Sequence, residues 1–159
     1  MVSGAVAVRD FLDSLGLRSF VKTTGGKGLH VVVPVTPALD WDTAKEFTRV
    51  IVSLLVDAGP TLYTASMVKK ARRGRIFIDY LRNGRGATAV AAYSTRARAD
   101  ATVSVPVSWA EVESGLRSDR FTVLTLRDHL RSRAADPWVE LASTKQVMTP
   151  RVLKKLGIS

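Results

Sequence analysis

Apolar residues near the start of the chain recur first at helical and then at strand spacing. The helical spacing over residues 5–15 predicts a helix that ends at Gly16. Two short apolar segments at 18–23 and 29–35 follow, and each predicts a strand. The chain is therefore expected to begin with a helix, a strand, a turn and a second strand.

The most regular helical pattern follows Asp40. Aspartate favours the N-cap position of a helix, and Gly59 followed by Pro60 ends the pattern. The face that this helix is expected to bury consists of Ala44, Phe47, Val50, Ile51, Leu54, Leu55 and Ala58.

The pattern beyond Pro60 is less regular. It predicts a short basic helix or turn at 64–72, strands at 75–81 and 87–93, and a turn at 83–86 between these strands. After a loop at 94–106, it predicts helical segments at 109–116, 124–133 and 149–156, and a helical turn that opens at Pro137. The order of elements indicates an α/β (mixed α+β) fold, with helices packed on a mixed sheet in one domain of residues 1–159.

The turn between the first two strands is rich in glycine. The stretch Lys22–His30 is Lys-Thr-Thr-Gly-Gly-Lys-Gly-Leu-His. Glycine lets a ligand approach main-chain amides, so this turn, with the side chains of Thr24 and Lys27, suits a phosphate. It lacks the ending of a Walker A loop and does not open a helix. A hairpin turn with a charged tip is an equally good interpretation, but His30, on the strand face opposite Leu29, favours ligand binding.

The positive charge of the chain is concentrated in one segment. The 159 residues carry a net charge of +10, and residues 66–98 contain nine basic residues and one acid, a net +8. Such a patch favours a polyanionic partner, with nucleic acid first, over a solvated basic face or a bias of genomic base composition. The basic residues are Lys69, Lys70, Arg72, Arg73, Arg75, Arg82, Arg85, Arg96 and Arg98.

The composition also limits the redox and membrane environment. No cysteine is present, which excludes disulfides and thiolate metal sites and suits a cytoplasmic protein. No apolar run reaches membrane-spanning length, and the N-terminus lacks the layout of a signal peptide. We therefore expect a cytoplasmic, nucleoid-associated protein without a membrane partner.

Asp79 is the one acid of the basic segment. It is expected either to pair with Arg82 or Arg75, or to hold a divalent cation that neutralises phosphate oxygens. The pattern alone favours the structural pair, because ion pairs are commoner than metal sites.

Three stretches together resemble the polymerase domain of bacterial DNA ligase D, a member of the archaeo-eukaryotic primase superfamily. They are Lys22–His30, Arg73–Thr88 (Arg-Gly-Arg-Ile-Phe-Ile-Asp-Tyr-Leu-Arg-Asn-Gly-Arg-Gly-Ala-Thr) and Ala92–Arg98 (Ala-Tyr-Ser-Thr-Arg-Ala-Arg). The resemblance implies a primase-polymerase-like fold. It also implies template-dependent or template-independent transfer of nucleotides from NTP or dNTP to a DNA 3′-hydroxyl in non-homologous end joining.

The resemblance also implies roles for individual residues. Asp79 matches a metal-binding aspartate of the family, so metal binding, of manganese or magnesium, becomes its favoured role. Asp79, His30 and Arg82 are the expected catalytic residues, and His30 matches a histidine that contacts the nucleotide phosphates. The expected nucleotide- and phosphate-binding residues are Thr24, Lys27, His30, Arg82, Arg96 and Arg98.

One departure from the family is serious. The family's other metal ligands form an Asp-x-Asp pair upstream of the glycine turn, and no such pair is found there. Asp40-Trp41-Asp42 has the spacing but follows His30 and lies at a predicted helix start. The chain thus resembles the C-terminal half of the domain, a partial domain expected to be inactive alone.

The departure leaves several functions open. The expected partners are DNA ends, NTP or dNTP, the Ku protein, a separate ligase and a chain that supplies the missing N-terminal half. The alternatives are a non-catalytic nucleotide- or nucleic-acid-binding remnant, and a structural or catalytic subunit of a split polymerase. The metal is expected to bind only if the missing carboxylates are supplied.

Overall fold

A computed structural model describes residues 1–158 and divides the chain into two compact units. The first unit comprises Met1–Pro34 and Val90–Lys145, and the second comprises Val35–Ala89 and the segment from Gln146. Within the described residues, no helix is both long and apolar enough to cross a membrane. The expectation of a single domain over residues 1–159 stays a prediction.

The first unit is built on a three-stranded antiparallel sheet. Its central strand β1 (Phe20–Thr23) pairs on one side with β2 (Leu29–Val32) and on the other with a two-residue strand, Pro106–Val107. Helix α1 (Val2–Ser14) precedes this sheet in the chain and packs against β2. The predicted helix, turn and strand pair at the start of the chain are confirmed.

Valine side chains dominate the core of this unit. The four residues of β1 are all buried, and residues 102–105, which precede the strand Pro106–Val107, are buried with them. Apolar burial of this kind is the main stabilising term of a small domain. The core cluster consists of Val21, Val103, Val105, Val107, Val112 and Phe121.

The second unit contains the long helix α2 (Trp41–Ala58). Asp40 caps it as predicted, because its carboxylate accepts a hydrogen bond from the backbone N–H of Thr43 at 2.7 Å. Strands β3 (Tyr63–Thr64) and β4 (Ile76–Phe77) form a separate parallel pair, so the strand Pro106–Val107 is β5. The buried face of α2 consists of Phe47, Ile51, Val52 and Leu55.

The remaining elements are short helices. Lys69–Arg72 and Leu81–Asn83 are 3₁₀ helices. The predicted helical segments near residues 109, 124 and 149 are confirmed as α3 (Trp109–Glu113), α4 (Leu126–Ser132) and α5 (Pro150–Lys155). The mixed α/β class is confirmed, with the strands divided between two small sheets.

Several predicted strands are wrong in extent or in kind. The strand expected over 75–81 reaches only from Ile76 to Phe77, because the Asp79 carboxylate accepts the N–H of Leu81 at 3.0 Å and curls the chain into a 3₁₀ turn. The segment 87–93 is irregular, and Tyr93 has a φ of 64°, which no strand residue adopts. The segment from Pro137 forms consecutive turns, in agreement with the helical turn expected there. In α2, Leu54 and Ala58 of the predicted buried face are exposed, and Val52 is buried instead.

The packing of the core predicts that alanine substitutions at two valines of the first unit change the free energy of unfolding by different amounts. Val105 is fully buried, whereas Val139 is 70% exposed. We expect Val105→Ala to lower the free energy of unfolding by about 2 kcal/mol, because it leaves a cavity, and Val139→Ala to change it by less than about 0.5 kcal/mol. Urea unfolding followed by circular dichroism measures both. Equal effects would contradict the assignment of Val105 to the core.

Candidate anion-binding site

The glycine-rich turn after β1 is organised by a threonine. The Thr24 hydroxyl donates to the carbonyl of Gly28 at 2.8 Å and accepts the N–H groups of Gly26 and Gly28 at 3.2 and 3.4 Å. A side chain that binds its own backbone in this way fixes a turn locally. The Thr24 hydroxyl therefore holds the turn in shape.

Two arginines pack directly on this turn. Gly25 has a φ of 63°, and a Cβ atom there would lie 2.9 Å from Cγ of Arg96 and 3.1 Å from the carbonyl carbon of Val103. A Cβ atom on Gly26 would lie 3.5 Å from Nη2 of Arg98. The turn thus requires glycine at position 25, and the absence of side chains brings both arginines against the backbone.

The segment that carries these arginines is held to the turn by hydroxyl groups. The backbone N–H of Arg96 donates to the carbonyl of Thr102 at 2.7 Å, which folds the segment back on itself. The Thr102 hydroxyl then donates to the carbonyl of Gly25 at 2.5 Å, and the Ser118 hydroxyl donates to the carbonyl of Gly26 at 2.6 Å. Both hydroxyl residues are buried. Buried hydroxyl groups therefore hold the turn against the aliphatic part of Arg96 and the guanidinium group of Arg98.

The first unit contains five of the predicted site residues. Thr24, Arg96 and Arg98 lie together at the turn, with Arg96 half-buried and Arg98 exposed. Lys27 is exposed at the tip of the same turn. His30 lies on β2, directly across from Lys22 of β1. Their proposed contacts with a nucleotide stay predictions.

Lys22 is a functional candidate that the sequence analysis missed. It is only 5% exposed, and its Nζ donates to the carbonyl of Val90 at 2.5 Å and to the hydroxyl of Ser104 at 2.9 Å. Burial, together with the nearby Arg96 guanidinium, lowers the pKa of the Lys22 ammonium to about 8. A lysine inside the apolar strand Phe20–Thr23 was the sequence signal for it. Ser118 and Thr102 carried no such signal, because their partners lie far away in the chain.

The second unit contains the other two predicted residues, Asp79 and Arg82. Oδ2 of Asp79 lies 3.3 Å from Nε of Arg82, so the ion pair expected from the residues is present. Arg75, the other expected partner, instead donates to the carbonyl of Pro60 at 3.3 Å. Asp79 and Arg82 are both exposed. The pairing with Arg82 is confirmed, and the metal-binding role of Asp79 stays a prediction.

The donor set at Asp79 does not fit a two-metal site. Two divalent ions at a short separation need several carboxylate ligands. Across residues 1–158, no group of three or more His, Cys, Asp or Glu side chains is arranged to hold a metal ion. Asp40, which has the right spacing to Asp42, caps α2.

The chain is similar in sequence to known end-joining proteins. It is 42% identical over 147 residues to the multifunctional non-homologous end joining protein LigD of Pseudomonas aeruginosa, an alignment that covers 92% of this chain and 18% of the relative. It is 33% identical over 133 residues to the bifunctional non-homologous end joining protein LigD of Bacillus subtilis, covering 83% of this chain and 22% of the relative. The chain thus spans about a fifth of the length of these relatives.

The fold is also similar to a solved structure. The polymerase domain of Mycobacterium tuberculosis ligase D, in complex with DNA, matches with a TM-score of 0.71 and 35% identity, over 80% of this chain and 46% of that chain. The family model described as "LigD, primase-polymerase domain" matches residues 1–138. These residues include the glycine turn, the paired Asp79 and the arginines that pack on the turn. This chain therefore belongs to the LigD primase-polymerase domain family.

Proposed function

We propose that the chain binds a nucleoside triphosphate and DNA as part of a DNA end-repair polymerase. The observation that carries this proposal is the close packing of Arg96 and Arg98 on Gly25 and Gly26. The Arg98 guanidinium beside this turn, with Arg96 packed on the same turn, suits the oxygens of a triphosphate, because charge-assisted hydrogen bonds to phosphate are strong. NTP and dNTP are the substrates, and DNA ends are the site of action.

The first unit supplies the phosphate-binding groups in this proposal. Arg96 and Arg98 neutralise phosphate charge, and Lys27 at the tip of the turn adds a mobile cation. His30 contacts the phosphates from β2. Thr24 acts through the turn that its hydroxyl holds in shape. Together these groups bind and orient the nucleotide.

The second unit supplies the DNA-binding charge. Six exposed basic side chains lie within residues 69–85 of this unit, and an exposed cluster of one sign attracts the phosphate backbone. We propose that Asp79 contributes one carboxylate to a manganese or magnesium site, which needs further carboxylates from another polypeptide segment. The six exposed basic residues within 69–85 are Lys69, Lys70, Arg73, Arg75, Arg82 and Arg85.

A second candidate function is nucleotide or nucleic-acid binding without chemistry. It is favoured by the donor set at Asp79, which does not complete a two-metal site within the described residues. This function keeps the anion site and the basic surface and leaves catalysis to other proteins. The Ku protein and a separate ligase are proposed partners under both functions.

The anion site predicts that its arginines bind the triphosphate. We expect Arg96→Ala and Arg98→Ala each to weaken ATP binding about tenfold or more, since each removes a charge-assisted hydrogen bond. Arg127→Ala, which removes an exposed cation on α4 of the same unit, is the matched control and is expected to bind as the parent does. Titration with a fluorescent ATP analogue measures all three. Equal affinities of the four proteins would contradict a shared site.

The exposed basic residues predict that DNA binding depends steeply on salt. If roughly three phosphates are neutralised, the affinity for a DNA oligonucleotide falls about tenfold or more between about 50 and about 200 mM salt. Fluorescence anisotropy with a labelled oligonucleotide measures this slope. An affinity that does not change with salt would remove the electrostatic basis of the proposal.

The incomplete donor set predicts how primer extension responds to added carboxylates. We expect the 159-residue chain alone to extend a primer no faster than background, even with manganese, because positioning and charge stabilisation account for most of phosphoryl-type catalysis. Joining it to the Asp-x-Asp portion of a family polymerase domain is expected to restore extension, and Asp79→Ala is expected to abolish it again. Gel-based extension assays measure each step. Rapid extension by the isolated chain would contradict the proposal and direct attention to Asp40 and Asp42.

A further inference from the structure

Lys22 connects the central strand to both ends of one chain segment. Its Nζ donates to the carbonyl of Val90 and to the hydroxyl of Ser104, which are 68 and 82 residues away in the sequence. The Ser104 hydroxyl in turn donates to the carbonyl of Thr23 at 2.7 Å. Val90 and Ser104 bracket the segment that carries Arg96 and Arg98. A single buried ammonium therefore fixes the base of the segment that packs on the glycine turn.

The positive charge of Lys22 has no acidic partner. Among the described residues, no carboxylate forms a hydrogen bond or ion pair with its Nζ, and Arg96 lies close enough to disfavour the charge. Burying an ammonium between neutral groups, next to a like charge, opposes folding. An apolar side chain would occupy a buried strand position more favourably. A bound polyanion, however, would offset the unpaired charge.

We propose that Lys22 is a positioning residue for the nucleoside triphosphate. It holds the Val90–Ser104 segment so that Arg96 and Arg98 remain against the glycine turn, and its charge strengthens the anion site from within the sheet. This inference rests on the proposed function, because it requires that a triphosphate binds at the turn.

The position of Lys22 makes the proposed binding dependent on pH. The charged or titratable groups that face it are His30, across from it on β2, and Arg96; on the β5 side it faces Pro106, which does not titrate. A triphosphate favours the ammonium form, so affinity is expected to fall as the pH rises through about 8. Phosphate and imidazole groups ordinarily titrate below this range.

The free energy of unfolding of the chain without ligand is expected to rise with pH, whereas the affinity for the triphosphate falls. The pKa of Lys22 is about 8 in the folded chain and lies near its ordinary value of 10.5 in the unfolded chain. Between these values the unfolded chain binds more protons, so Lys22 makes the free energy of unfolding rise with pH. A purely structural lysine would show this rise alone. A positioning lysine also shows the loss of affinity.

The test is the affinity for a fluorescent ATP analogue from pH about 7.5 to about 9.5, measured on the full chain. We expect the parent to lose about tenfold over this range and Lys22→Met to be about tenfold weaker at the lower pH and nearly independent of pH. Lys22→Arg, whose guanidinium stays charged, is expected to restore affinity without the pH dependence. Arg127→Ala is the matched control and is expected to follow the parent profile.

Several outcomes would overturn this inference. A parent profile that is flat with pH does so, as does Lys22→Met with the affinity and profile of the parent. If thermal unfolding shows that Lys22→Met does not fold, the role of Lys22 is tested by the pH profile of the parent's affinity and by the affinity of Lys22→Arg. Binding lost in Arg96→Ala but kept in Lys22→Met contradicts the role of Lys22 alone, whereas no binding by the parent at any pH contradicts the proposed function itself.

Discussion

The first unit depends on the complete burial of β1. A strand with no exposed residue must find a partner for each backbone N–H and C=O group, because an unpaired buried polar group is strongly unfavourable. Strands β2 and β5 supply part of these hydrogen bonds. Trp138 supplies another, since its Nε1 donates to the carbonyl of Val21 at 3.0 Å, and Nε1 of Trp109 donates to the carbonyl of Ser19, just before the strand, at 3.0 Å. Because the backbone groups of β1 must be hydrogen-bonded, segments from three parts of the chain are held around this strand.

Strand β1 also determines the orientation of the glycine turn. The turn begins where β1 ends, so its orientation follows from the sheet. Thr102 and Ser118 donate to the carbonyls of Gly25 and Gly26. Occupied carbonyl oxygens present less negative potential to an approaching phosphate, and the nearby guanidinium groups present positive potential. Packing and hydrogen bonding at the turn therefore support the proposal that an anion binds there.

The acidic residue of the basic segment has a different physical setting. Its partner Arg82 is exposed, and an exposed ion pair contributes little to stability because water screens both charges. The Asp79 carboxylate holds the local turn by accepting the N–H of Leu81, whereas its ion pair with Arg82 adds little stability. Arg72, by contrast, stacks on the ring of Phe77 at 3.8 Å and donates to the carbonyls of Ser66 and Met67. Neighbouring charges in one segment therefore differ in how firmly the fold holds them.

The sequence by itself determined the elements whose signals are local. Helices α1 and α2, the cap at Asp40, the glycine turn and the strands beside it follow from apolar spacing and from the conformational freedom of glycine, which a short window of residues expresses. The three motif stretches likewise carried the family assignment.

Only the tertiary structure decided the features that join distant residues. The length of β4 depends on a carboxylate that curls the chain after it, and the irregular path of 87–93 depends on the positive φ of Tyr93. The burial of Lys22 depends on Val90 and Ser104, which approach it only when the chain folds. Long-range contacts and the burial of charge have no periodic signature in a sequence, because they are set by the packing of segments far apart along the chain.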